Sequence, residues 1–114
     1  MKKLLILLFF LLFSMISFSQ NLCDDDICVV EFNASFNKTN SVEWLEKLGD
    51  CSTLRVDISK NPELQKEHNI VVVPTIIVFN GKEVKRFQAN IMMQLEATKK
   101  EIQNTVDEIL MESF

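Results

Sequence analysis

The chain has 114 residues, 16 acidic against 12 basic side chains, and a formal net charge of −4. That length holds one modest hydrophobic core and leaves no room for a second domain. The acidity argues against nucleic acid and against anionic membrane surfaces, because both select basic patches.

Lys2 and Lys3 precede an unbroken apolar run from Leu4 to Phe13, and Ser17-Phe18-Ser19 follows with small residues at a cleavage spacing. The run is shorter than the ~18 residues of a membrane span, so residues 1–19 read as a signal peptide. Gln20 is then the mature N-terminus, residues 20–26 form a tail and 27–114 one domain. Export to a periplasmic or extracellular space is expected, with no stable membrane insertion after cleavage. Lipid attachment at Cys23 is a lesser alternative, since Gln20-Asn21-Leu22 lacks the small residues that normally precede a lipidated cysteine.

Cys23, Cys28 and Cys51 are the cysteines, and export would place them where a disulfide persists. Cys23 and Cys51 each lie in a polar segment just before a predicted strand. If those strands are parallel neighbours, the two sulfurs share one end of the sheet, and a Cys23–Cys51 disulfide is expected. Cys28 alternates with Val30 and Phe32 on one strand face and reads as a buried thiol. No cysteine pair has zinc-knuckle spacing and His68 is the lone histidine, so neither a metal nor another cofactor is expected.

Ile27 to Phe32 is apolar and β-branched around one acid, the pattern of a strand buried on both faces. Polar residues then lead into Ser41 to Leu48, an amphipathic pattern that predicts a helix ending at Gly49. Thr53 to Ile58 alternates as a second strand. Asn61-Pro62 starts a short helix ending near His68-Asn69, which leaves His68 exposed on its surface. The apolar run Ile70 to Phe79 is broken by Pro74, which has no N–H to give a ladder. Asn80-Gly81 is a hairpin turn and Glu83 to Gln88 the return strand. Leu95, Ile102, Val106, Ile109 and Leu110 recur at threes and fours, so the tail from Ile91 reads as a helix capped by Asn90. Met92 and Met93 at its start read as core filling.

The stretch Glu31-Phe32-Asn33-Ala34-Ser35-Phe36, a four-residue window Asn37-Lys38-Thr39-Asn40, and Val73-Pro74-Thr75 further on together resemble the thioredoxin family. The resemblance covers roughly Ile27 to Leu110. It implies a minimal thioredoxin fold of the α/β class, β-α-β-α-β-β-α, with a mixed four-stranded sheet flanked by helices. It also implies a cis Val73–Pro74 bond lying against the window, with backbone groups of Val73 free to meet an extended ligand. Redox-active members carry cysteine at the first and last window positions, where this chain has Asn37 and Asn40. A carboxamide forms neither thiolate nor disulfide, so the window has no nucleophile. The family's buried acid falls at Glu31 and its basic neighbour at Arg55; without a thiol to serve, the two read as a structural ion pair.

The function implied is therefore a redox-inactive module that holds an extended peptide or a partner protein. Phe36, Asn37, Lys38, Thr39, Asn40, Val73 and Pro74 form the expected ligand surface, no residue is catalytic, and the chain is expected to be monomeric. Strand addition beside an apolar groove is the expected mode. The competing reading is a thiol–disulfide oxidoreductase using Cys23, Cys28 or Cys51 away from the window. A weaker possibility is an anion held by Lys38 at the helix start.

Overall fold

The computed structural model describes Leu22, Cys23 and residues 26–113. The expected signal peptide lies outside the described residues. Four strands carry the domain: β1 (Ile27–Asn33), β2 (Ser52–Asp57), β3 (Thr75–Asn80) and β4 (Glu83–Gln88). Their order across the sheet is β2-β1-β3-β4. β1 runs parallel to β2 and antiparallel to β3, and β3 pairs antiparallel with β4. The sheet is thus mixed, with β1 inside it, as its seven buried residues require.

Alternation along β1 divides the core. Ile27 and Val29 face a cluster with Val42, Leu45, Leu48, Ile76 and Val78, closed by Ile102, Val106 and Ile109 of α2 (Lys99–Glu112). Cys28, Val30 and Phe32 face the other cluster, with Val56, Ile58, Ile70, Val73 and Ile77. Leu64 of the short helix α1 (Pro62–Glu67) covers that side. Pro62 opens α1 as expected, but the Asn61 amide donates to the Asp57 carbonyl at 2.9 Å instead of capping the helix.

Two expected helices differ from their sequence pattern. Ser41 to Leu48 forms no α-helix; it holds only a short 3-10 turn, Leu45–Lys47, and a second 3-10 turn, Ser35–Asn40, precedes it. Ser41 is extended at φ −62° and ψ 141°. The Val42 N–H donates to the Glu31 carboxylate at 2.8 Å, so a tertiary acceptor has displaced the helical one. The tail helix begins at Lys99, not Ile91. Asn90 accepts from the N–H groups of Met92 and Gln94 in a side-chain turn, and Met93 sits at φ 58°. Met92 and Met93 are therefore exposed rather than core filling. The helix cap is Thr98, whose hydroxyl accepts from the Glu101 N–H at 3.2 Å.

The disulfide also differs. Cys23 bonds to Cys28, not Cys51, and Cys51 is a free thiol. Register explains the correction. Cys28 pairs with Ser52 across β1 and β2, so Cys51 falls one residue out of phase and packs on the cluster containing Val29. Cys23 packs with Cys28 on the opposite face. The sheet lies between the two sulfurs that were expected to bond. Cys28 is buried as expected, but as half of a bridge and not as a thiol. The bridge also engages the sulfur that lipid attachment at Cys23 would need.

Among the described residues no helix is long and apolar enough to cross a membrane.

Candidate functional site

The carboxyl end of β1, the first 3-10 turn, the segment before β3 and the loop after β4 meet at one side chain, Asn37. Its residue is only 2% exposed. The Asn37 carboxamide N–H₂ donates towards the Asn33 side-chain oxygen at 3.1 Å, the Val73 carbonyl at 3.3 Å and the Met93 carbonyl at 3.1 Å. An amide nitrogen has two hydrogens, so one of these three is shared. The Asn37 oxygen accepts from Asn40 at 2.8 Å. Asn33 in turn donates to the Asn37 carbonyl at 3.1 Å and to the Ser41 hydroxyl at 2.8 Å. Three asparagines thus tie three loops into one polar clasp.

A cis peptide joins Val73 to Pro74, in the segment that the clasp reaches. The expected ligand surface must be corrected in part. Val73, Pro74 and Asn37 are buried, and the Val73 carbonyl already has the Asn37 amide as its partner. These residues hold the site together and offer a ligand little surface. Phe36, Lys38 and Thr39 are exposed and Asn40 is half-buried. Phe36 is 75% exposed, beside Asn37 in the chain. Ile91 at 98% and Met92 at 67% project from the loop whose Met93 carbonyl Asn37 holds. These exposed apolar side chains lie on the two chain segments that the Asn37 side chain joins. Sequence reading missed the methionine pair because a helical phase was assigned to it; the Thr98-Lys99-Lys100-Glu101 capping box marks the later start.

Beneath the window lies the charged pair. Glu31 is 2% exposed and stands opposite Arg55 in the β1–β2 register. The guanidinium donates to the Glu31 carboxylate at 2.8 Å, to both oxygens of Glu46 at 2.6 and 2.9 Å, and to the Val42 carbonyl at 2.6 Å. Glu31 spends its second oxygen on the Val42 N–H. Hydrogen bonding from Arg55 holds the Glu46 carboxyl down at about 2, and Glu46 in turn raises the Arg55 pKa. A recess of about 330 Å³ opens beside the pair, with Lys38 and Lys60 at its lining. Both acids are hydrogen-bonded to the arginine, and the Val42 N–H and C=O are bound by Glu31 and Arg55, so the network fixes loop 41–48. The anion reading at Lys38 loses its helix dipole, because the window is a six-residue 3-10 turn and not an α-helix start.

The sulfurs sit elsewhere. The Cys23–Cys28 bridge is at the amino end of β1, and Cys51 precedes β2 at that same end. Burial, with Asp50 and Asp107 adding to it, pushes the Cys51 thiol up. It is held protonated at neutral pH, the opposite of what a nucleophile needs. His68 also departs from its expected exposure. Its Nε2 is buried without a hydrogen-bond partner among the described residues, and its ring lies 5.3 Å from Phe32 and 5.5 Å from Phe79 between centroids. The residue as a whole is half-buried, with its ring packed at the margin of the second face. Among the described residues no group of His, Cys, Asp and Glu is arranged to hold a metal.

No protein-family model and no curated protein sequence matches the chain. Among solved structures it is similar to a mutant thioredoxin from Halobacterium salinarum, at 19% identity and a TM-score of 0.58, over 73% of this chain and 74% of that one. A Fasciola hepatica thioredoxin is similar at 25% identity and 0.55, over 75% and 82%. A Schistosoma mansoni thioredoxin is similar at 23% identity and 0.57, over 85% of each chain. Identities this low carry the fold and nothing finer.

Proposed function

We propose that this chain, which has the thioredoxin fold, is an exported, redox-inactive module that binds an unfolded or extended segment of another protein. The observation that carries the reading is the Asn37 clasp. At the window position where a thiol would act, a buried carboxamide instead ties the loops bearing Phe36, Ile91 and Met92. Nothing at the window can exchange a disulfide. Around it, exposed aliphatic, thioether and aromatic side chains supply adaptable apolar contact. A partner meets those side chains, not the Val73 carbonyl, which is taken. The Cys23–Cys28 bridge accords with an oxidising compartment.

The test has two arms. In the first, binding of the mature chain to an array of extended peptides is measured alongside the reduction of insulin. Aliphatic and aromatic peptides are expected to bind, with an about tenfold loss in an Ile91→Asp, Met92→Asp double variant. Insulin should stay oxidised. Binding indifferent to those substitutions, or reductase activity in the unmodified chain, overturns the reading. In the second arm Asn37→Cys and Asn40→Cys are combined. The two side chains already touch at 2.8 Å, so a disulfide between them is within reach and insulin reduction should appear.

A further inference from the structure

The sheet order leaves two outer edges, on β2 and on β4. They are not equally protected. β4 carries Lys85 and Arg86, and its pairing with β3 is interrupted by a bulge at Val78/Phe79. Charge and a bulge are the usual guards against edge pairing. β2 has no bulge, and its charges are Arg55 and, at its end, Asp57. Its register with β1 runs unbroken from Ser52 to Asp57. From Ser52 to Val56 its single charge is Arg55, whose guanidinium is already matched by Glu31 and Glu46.

Hydrogen-bond parity identifies the open groups. The Ile58 N–H donates to the Asn33 carbonyl at 2.9 Å, so even-numbered residues of this parallel pair turn their backbone toward β1. Thr53, Arg55 and Asp57 turn theirs outward. The Asp57 carbonyl is closed off by the Lys60 N–H and the Asn61 amide. The N–H and C=O groups of Thr53 and Arg55 have no partner among the described residues. Between them lies Leu54, 37% exposed, on the sheet face shared with Val30.

We infer that this edge is a self-association site, where β2 pairs antiparallel with β2 of a second copy about a two-fold axis through Leu54. Such an axis stands perpendicular to the sheet and keeps like faces together, so it must pass through a residue and not between two. Centred on Leu54, Thr53 and Arg55 of opposite copies exchange reciprocal N–H···O bonds, and the two leucines form the closer, non-hydrogen-bonded pair. Centred on Arg55 instead, the axis sets two guanidiniums directly opposite, which is unfavourable. An axis centred on Thr53 satisfies the same parity but sets Leu54 opposite Ser52; the Leu54 centre is the one that packs two exposed leucines against each other, and an isologous contact is what a second copy supplies. So few residues bury little area, giving a weak dimer that forms as concentration rises above the monomer range. This association goes beyond the binding reading and does not use the window.

Sedimentation equilibrium of the mature chain over a wide concentration range tests it. A reversible monomer–dimer equilibrium is expected. Thr53→Pro deletes one outward N–H without touching the ladder to β1, a position at which an edge strand tolerates proline. It should weaken the dimer about tenfold or more. Leu54→Lys, which leaves every backbone group in place, should do the same and carries the test if the proline variant does not fold. In a Cys51→Ser background, Leu54→Cys should cross-link to its own counterpart under mild oxidation, and Arg55→Cys should not. A chain that stays monomeric throughout overturns the inference. So does a dimer insensitive to both Thr53→Pro and Leu54→Lys, or preferential cross-linking through Arg55→Cys. The Ile91→Asp, Met92→Asp variant should dimerise normally, which separates this result from the peptide-binding one.

Discussion

The two ends of β1 are fastened by different chemistry. At the amino end Cys23 is joined to Cys28 by a covalent bond across a short stretch of chain. At the carboxyl end Asn33, Asn37 and Asn40 hold three loops by hydrogen bonds, and Glu31 with Arg55 holds a fourth. A bridge of this kind acts locally and through the unfolded chain. A polar network acts only while nearly every member is satisfied, because each orphaned buried group costs more than one bond gains. The scaffold places its geometric precision at one end of β1. The end that carries the exposed apolar side chains is positioned by cooperative, geometry-dependent bonds, and the sulfur is spent at the opposite pole.

The largest effect should come from breaking the charged half of that network. Arg55→Met leaves the Glu31 carboxylate, 2% exposed, with only the Val42 N–H. An uncompensated buried charge typically costs about 3–5 kcal/mol. The guanidinium side is 35% exposed and water can reach part of the gap, so about 3 kcal/mol is expected by urea unfolding. Adding Glu31→Leu should restore part of the loss, since the orphaned charge is then gone. A double variant no more stable than Arg55→Met would show that the loss lay in packing and not in charge.

Next is the amide half against the disulfide. Asn37→Ala removes the donor to the Val73 and Met93 carbonyls and to the Asn33 side-chain oxygen, and the acceptor of the Asn40 amide, at once, for roughly 2–3 kcal/mol. Cys23→Ser removes a bridge spanning a sequence separation of 5, and chain entropy alone assigns so short a loop about 2 kcal/mol. The stability losses are close, but their reach is not. Hydrogen exchange should rise around the window and the 90–94 loop in Asn37→Ala, and stay unchanged there in Cys23→Ser. Exchange that rises at the window in both would join the two ends into one cooperative unit.

How far sequence reached follows from the same contrast. The strands were legible because alternation and β-branching are local, and Asn80-Gly81 announced its hairpin. The facing of Glu31 and Arg55 was implied by the family resemblance, and the β1–β2 register sets the two residues opposite each other. What failed depended on partners distant in sequence. Ser41 to Leu48 has a helical phase, yet Glu31 takes the Val42 N–H and Asn33 the Ser41 hydroxyl, so the pattern yields to tertiary acceptors. The methionines after Asn90 have helical spacing, yet that loop bends to deliver the Met93 carbonyl to Asn37. The disulfide turned on a β1–β2 register that spacing does not encode. His68 was read from its helix neighbours, whereas Phe32 and Phe79 decide its burial. Asn37 itself was legible as a lost thiol; its three-way bond was not.

The smallest expected effect lies at the outer arm of the arginine. Glu46 is on the surface, and hydrogen bonds from Arg55 lower its carboxyl from 4.5 to about 2. A carboxyl held low in the folded chain contributes stability above its unfolded value and loses it as pH falls through the folded one. The contribution of Glu46 is therefore present above pH 4.5 and fades between 4.5 and about 2. Glu46→Gln should lower thermal stability slightly at neutral pH and flatten the fall across that acid window, leaving the midpoint near pH 2 unchanged. Asp57, lowered by the Ser35 and Ser59 hydroxyls, and Glu83, lowered by Arg86, keep the remaining slope. Salt should shrink the Glu46 difference, since both partners are within reach of solvent, while barely altering the cost of Arg55→Met, whose other partner is buried. A Glu46→Gln chain with an unaltered acid limb would place the anchoring of Arg55 on Glu31 and the Val42 carbonyl. The surface arm would then contribute nothing to holding the carboxyl end of β1.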